Sequence, residues 1–104
     1  MFKKKHCNET QNTVISIEHE FIDDKVANEL NEFIKNMNKE VISVIVNVDK
    51  VNFIVSAGIG AIIKIYTDLK RNGKDFKMIN VSEHMKKIFA ITKIDQIIPL
   101  EYKE

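Results

Sequence analysis

Apolar and polar positions follow three distinct rhythms along this chain. From Val14 to Phe21 they alternate at period two, with Ile15, Ile17, His19 and Phe21 on one side and Ser16, Glu18 and Glu20 on the other, which predicts a half-buried strand. Val41 to Val48 (VISVIVNV) is nearly all apolar and rich in β-branched residues, which predicts a central strand covered on both sides. Phe76 to Val81 predicts a further strand, parallel to it as a crossover requires. Phe2 to Cys7 reads as a first strand, closed by the polar turn Asn8 to Asn12.

The other rhythm is helical. Val26, Leu30, Phe33, Ile34 and Met37 form one stripe, started by Asp23 or Asp24 as cap, with Glu29 and Glu32 on the solvent side. Ile59, Ile62, Ile63, Tyr66 and Leu69 form a second stripe, away from which Lys64, Asp68 and Lys70 fall, and Gly73 suits its C-terminal stop. Ser82 is expected to cap a third helix, in which Met85, Ile88, Phe89 and Thr92 point inward while Lys86 and Lys87 point outward. Ile94, Ile97 and Ile98 make a last apolar piece before Pro99, and 101–104 reads as a peripheral tail.

The stretch around which these elements are organised is Val51 to Leu69, VNFIVSAGIGAIIKIYTDL. Ser56 is the first residue in it able to cap a helix, so the helix is expected to begin at Ala57. Gly58 and Gly60 cost helix propensity, which suggests a backbone that approaches something closely, either the sheet beneath or a partner above.

Val51 to Gly60 resembles a pattern of the STAS domains, the family of bacterial anti-sigma-factor antagonists and their relatives: an apolar strand end followed by Asp-Ser-Ser/Thr-Gly-Leu-Gly. Phe76 to Asp95 (FKMINVSEHMKKIFAITKID) is similar to the strand, Val-Ser helix start and closing segment of the same family. Two departures stand out: Val55 occupies the position of the family's Asp, and Ala57 that of its second hydroxyl residue. His19 falls where the family has a glycine. The resemblance implies an α/β fold for residues 1–104, a single STAS-like domain with a mixed central β-sheet and helices packed mainly on one side. It also implies that Ser56 is the phosphoacceptor and that Val55, Ser56, Ala57, Gly58, Ile59 and Gly60 form the partner-binding turn. The partners expected from it are an anti-sigma factor or a serine kinase of the partner-switching type, with a phosphatase to reverse the modification. A non-phosphorylated scaffold subunit of a signalling or transport complex is the alternative, and a small-ligand module using the helix start as an anion site is a third.

Composition narrows the classes further. With 44% hydrophobic and 30% charged residues, the 104-residue chain has an ordinary globular mixture and length for one domain. A net charge of +1 offers no general attraction to nucleic acid, and Lys3-Lys4-Lys5 reads as a solvated run. No apolar stretch approaches the ~20 residues of a bilayer span, so no membrane insertion is expected, and the amino terminus lacks the apolar segment of a signal peptide. The single cysteine, Cys7, fits a reducing compartment, and a cytoplasmic location is expected. His6, His19 and His84 lie on separate elements, so no metal site is expected. No nucleophile, base and orienting acid fall into an arrangement, and Gly58-Ile59-Gly60 lacks the third glycine of a dinucleotide fingerprint and the lysine of a phosphate loop. Neither a cofactor nor catalysis is therefore expected.

Overall fold

The computed structural model describes residues 2–7, 12–37 and 41–103, with backbone alone described for 2–7. The polar turn expected at Asn8 to Asn12 lies largely outside the described residues. The chain forms a mixed five-stranded sheet ordered β1-β2-β4-β6-β7 and a separate two-stranded sheet, β3-β5. The strands are β1 Phe2–Cys7, β2 Asn12–Ile17, β3 Phe21–Ile22, β4 Ser43–Asn47, β5 Phe53–Ile54, β6 Asp75–Val81 and β7 Leu100–Tyr102. The helices are α1 Asp24–Lys35, α2 Ser56–Arg71 and α3 Glu83–Ile91, with a short 3-10 turn at Ile94–Gln96.

Among the described residues only β1 and β2 pair antiparallel. The β2–β4, β4–β6 and β6–β7 pairs are parallel, and each is joined by a crossover that contains one helix. Chain direction cannot be restored between parallel strands by a tight turn, so the helices are obligatory parts of the sheet connections. The core lies between the sheet and the helices, with Ile15, Ile17, Val44, Val46 and Met78 from the strands meeting Leu30, Ile62, Ile65, Met85 and Phe89 from the helices.

Four sequence expectations need correction. The Val14 to Phe21 strand is two strands: β2 ends at Ile17, and Phe21 pairs with Phe53 in the other sheet, so His19 and Phe21 leave the buried face. Val41 to Val48 is not covered on both sides. Val44 and Val46 are buried, but Ser43, Ile45 and Asn47 are half-buried on the opposite face, where Ile45 lies between Val14 and Lys77 of the neighbouring strands. The tail is not peripheral, since Leu100–Tyr102 extends the sheet as β7, fixed by an ion pair between Lys77 and Glu101 and by Lys103 N–H donating to the Val81 carbonyl. Thr92 is the exposed C-cap of α3, its hydroxyl donating to the Ile88 carbonyl.

Thr13 also belongs to the buried face of β2, two residues before Ile15, and its hydroxyl has no hydrogen-bond partner among the described residues. On the outer face Asn47 links three strands: its amide donates to Ser16, and its oxygen accepts from Asn80 and from the Asp49 N–H. Asn80 reaches it from a left-handed conformation, φ 59°, at an irregularity in the β6–β7 register. The Asn47-to-Asp49 hydrogen bond turns the chain out of β4 and toward the α2 start. Among the described residues no helix is long and apolar enough to cross a membrane.

Candidate functional site

The segment between β4 and α2 is held by backbone hydrogen bonds at closely spaced points. Val51 N–H donates to the Val48 carbonyl, Asn52 N–H to Glu20 at 2.7 Å, and Val55 N–H to Ile22 at 3.0 Å. The last two continue the parallel pairing of β5 with β3 and deliver the chain to α2 in a fixed direction.

Helix α2 begins one residue earlier than the pattern implied. Val55 is the N-cap, with extended backbone (φ −92°, ψ 161°) and no side-chain cap, and Ser56 is the first helical residue. Ser56 is therefore not the cap. A capping oxygen must lie on the residue with non-helical dihedrals, because only from there can it reach the N–H groups two or three residues on. The Ser56 hydroxyl is exposed and has no hydrogen-bond partner among the described residues.

The two glycines of the turn do different things. A Cβ on Gly58 would lie 2.6 Å from the carbonyl oxygen of Ile22, the same oxygen that accepts the Val55 hydrogen bond. No side chain fits there without moving backbone, so Gly58 allows α2 to lie against β3. A Cβ on Gly60 would meet nothing within 4 Å. The close approach expected of both glycines holds within the molecule for Gly58 alone, and Gly60 faces open space. Ala57 is exposed and Ile59 half-buried on the core side.

Beside this turn is a feature that the strand pattern concealed. Phe21 and Phe53 stack across the β3–β5 pair with ring centroids 5.6 Å apart and an interplanar angle of 17°. Both are 41% exposed, and Val55 is 39% exposed. Three large apolar side chains thus form a shelf leading up to Ser56. The alternation through Phe21 pointed to a core residue, since nothing local signalled that the strand breaks after Ile17. Behind the shelf, Ile54, Ile62 and Ile65 are buried, so the helix start sits on a packed base. The α2 stripe also includes Ile65, while Ile59, Ile63 and Tyr66 sit at its margins.

Among the described residues no group of three or more His, Cys, Asp or Glu side chains is arranged to hold a metal ion. The turn instead offers a hydroxyl, the small exposed residues Ala57 and Gly60, and an apolar shelf. Such a surface can be covered by another protein, and a charge added to its hydroxyl would oppose that cover.

The STAS domain family model matches residues 4–104, and the chain belongs to that family. Solved structures share the fold at low sequence identity. An anti-sigma-factor antagonist (STAS) domain protein from Planctomyces limnophilus superposes with a TM-score of 0.79 at 18% identity, covering 99% of this chain and 91% of that one. An anti-sigma factor antagonist from Mycobacterium paratuberculosis gives 0.78 at 18% identity, over 100% and 86% of the two chains. The Bacillus cell fate determinant SpoIIAA in its phosphorylated form gives 0.68 at 18% identity, over 96% and 90%.

Proposed function

We propose that this chain is an anti-sigma-factor-antagonist-like regulatory binding protein, acting as one STAS domain over residues 1–104 in the cytoplasm and not as an enzyme. Its docking surface is the turn Val55, Ser56, Ala57, Gly58, Ile59 and Gly60 together with the Phe21–Phe53 shelf. Its partner is an anti-sigma factor or a serine kinase of the partner-switching type, which the unmodified turn sequesters. Phosphorylation at Ser56 releases that partner, and a phosphatase restores binding.

The observation that carries this reading is the exposed Ser56 hydroxyl, uncommitted at the first position of α2 and flanked by Ala57 and the apolar shelf. A phosphate there brings a charge of roughly −1.5 to −2 into a surface whose neighbours are apolar. Its burial under a partner is then opposed by desolvation, while the unpaired N–H groups of the first helical turn stabilise the modified, unbound form. A useful switch needs a change in affinity of about 1–3 kcal/mol. The fold is shared with SpoIIAA in its phosphorylated form, which supports this reading.

The test pairs a modification assay with a binding assay. Incubation with a serine kinase of the partner-switching type and ATP is expected to add one phosphate at Ser56, read by mass spectrometry of the peptide. Ser56→Ala should retain the kinase or anti-sigma factor in a pull-down and Ser56→Glu should lose it. Absence of phosphate on Ser56 would remove the switch and leave the binding role.

Val55 favours a second reading. An exposed apolar residue at the cap, in the position of the family's Asp, suits a constant docking face in a scaffold subunit of a signalling or transport complex. In that case Ser56→Ala and Ser56→Glu bind alike.

A further inference from the structure

Of the ten asparagines in the chain, only Asn72 precedes a glycine, and the pair closes α2. Asn72 is the C-cap (φ −93°, ψ 12°), and Gly73 follows it in the left-handed region at φ 73°. Only residues 72–74 lie between Arg71 at the end of α2 and Asp75 at the start of β6, so the chain reverses on this one left-handed residue. As a helix stop the pair is ordinary: glycine takes the left-handed position without steric cost, and Asn72 Nδ2 donates to the Asp68 carbonyl at 2.8 Å.

The same two residues also place a nucleophile near an electrophile. The Gly73 amide nitrogen and the Asn72 side-chain carbonyl carbon, Cγ, can close a five-membered ring, and the absent Cβ of glycine leaves that nitrogen unhindered. In the folded chain the attack is held off. Gly73 N–H donates to the Lys70 carbonyl at 3.0 Å, and the Asn72 amide is engaged with Asp68. A ψ of 12° turns the Gly73 nitrogen away from the Asn72 side chain, so ring closure needs a rotation that breaks the cap. The cap lies at the surface, with 70–73 all exposed, and the ion pair from Lys70 to Asp75 at 3.3 Å is exposed as well. Leu69 is buried on one side, and on the other Lys74 is anchored by its Nζ donating to the Val41 carbonyl, which confines an opening to 70–73. An exposed terminal turn of this kind opens far more readily than the domain unfolds.

We propose that Asn72 is a site of spontaneous deamidation, gated by local opening of the turn 70–73, and that its isoaspartyl product no longer closes that turn. In the open turn the Gly73 nitrogen attacks Asn72 Cγ. The N–Cγ bond forms, the Cγ–Nδ2 bond breaks, and ammonia leaves with the proton that the Gly73 nitrogen gives up. Water then opens the cyclic imide, its hydroxyl going to one of the two carbonyl carbons and its proton to the ring nitrogen, so the sequence needs no co-reactant but water. Addition at Cγ leaves an aspartate. Addition at the main-chain carbonyl leaves an isoaspartate, whose backbone runs through Cβ and is one atom longer. That extra atom shifts the Gly73 and Lys74 N–H groups away from the Lys70 and Leu69 carbonyls that accept them. The site does not depend on the role of Ser56.

The experiment incubates the whole chain at physiological temperature and mildly alkaline pH, with and without denaturing urea. Peptide mass mapping follows Asn72, since exchange of the amide nitrogen for oxygen raises the peptide mass and the two isomers elute separately. In urea Asn72 is expected to react before every other asparagine. In the folded chain it should react between about tenfold and about a thousandfold more slowly than in urea, limits that correspond to opening free energies of about 1.4 and 4.1 kcal/mol. The isoaspartyl fraction, separated by chromatography, should melt about 4–8 °C below the unmodified chain. Equal rates with and without urea would mean that the cap does not gate the site. Suppression beyond a thousandfold would mean that only global unfolding exposes it, and an unchanged melt of the isoaspartyl fraction would mean that the turn accommodates the product. Each of these results overturns the proposal.

Discussion

Helices α2 and α3 each start beside a serine, and the two serines do opposite things. Ser82 is the N-cap of α3, with extended backbone, and its hydroxyl accepts from the Met85 N–H at 3.3 Å. Ser56 sits one position further into its helix, where its backbone is already helical, and Val55 occupies the cap. A displacement of one residue decides whether the oxygen is used inside the fold or left to solvent. Helix α1 follows the α3 pattern, with Asp23 accepting from Val26 N–H at 2.8 Å, which makes the α2 start the exception among the three. The remote packing of Gly58 on Ile22 holds α2 where local capping does not.

The largest expected effect tests that last statement. Gly58→Val should lower stability by about 2 kcal/mol, as overpacking against backbone does, and should be visible as a reduced denaturant midpoint and Tm. An unchanged midpoint would mean that α2 can shift on β3, and the comparison between a packed start and capped starts would fail.

Capping comes next. Ser82→Ala should cost about 1 kcal/mol and Val55→Asp should gain about as much, because the first removes a used cap and the second supplies a missing one. Ser56→Ala should change stability by less than about 0.5 kcal/mol, as expected for an exposed side chain without a partner. Chemical denaturation of the three variants side by side measures the contrast directly, and a loss in Ser56→Ala equal to that in Ser82→Ala would erase it.

The smallest effect separates the glycines. Gly60→Ala should stabilise by roughly 0.5–1 kcal/mol, since an alanine there gains helix propensity and meets no neighbour. Opposite signs at Gly58 and Gly60, read from thermal melts, would show that two glycines of one turn have unrelated purposes. Thr13→Val, outside the turn, should add about 1 kcal/mol by removing a buried hydroxyl that has no partner among the described residues.

Much of this architecture is legible in local pattern. The periodicities identified all three helices, and the Gly73 stop is present as a left-handed residue at φ 73° in a C-cap where Lys74 N–H donates to Leu69 and Gly73 N–H to Lys70. Strands β1, β4 and β6 also follow from apolar composition and turn residues. The Ser82 cap was legible as a capping residue three positions before the first inward-facing residue, Met85, whereas the α1 cap was narrowed only to Asp23 or Asp24 and the backbone assigns it to Asp23. Ser56 looked the same and was not, because a cap is defined by backbone dihedrals that side-chain identity does not report.

Within this chain, the order of hydrophobic and polar residues determined which segments become helix and which become strand, because both periods are local properties of the backbone. Only the tertiary structure decided that β2 breaks before Phe21 and that Phe21 stacks on Phe53. The same holds for Gly58 rather than Gly60 being fixed by packing, and for 100–102 joining the sheet. Each of these depends on which distant backbone arrives alongside: Ile22 beneath Gly58, Phe53 beside Phe21, Met78 beside Leu100. Such meetings are set by the crossovers as a whole, and no short window of sequence contains both partners.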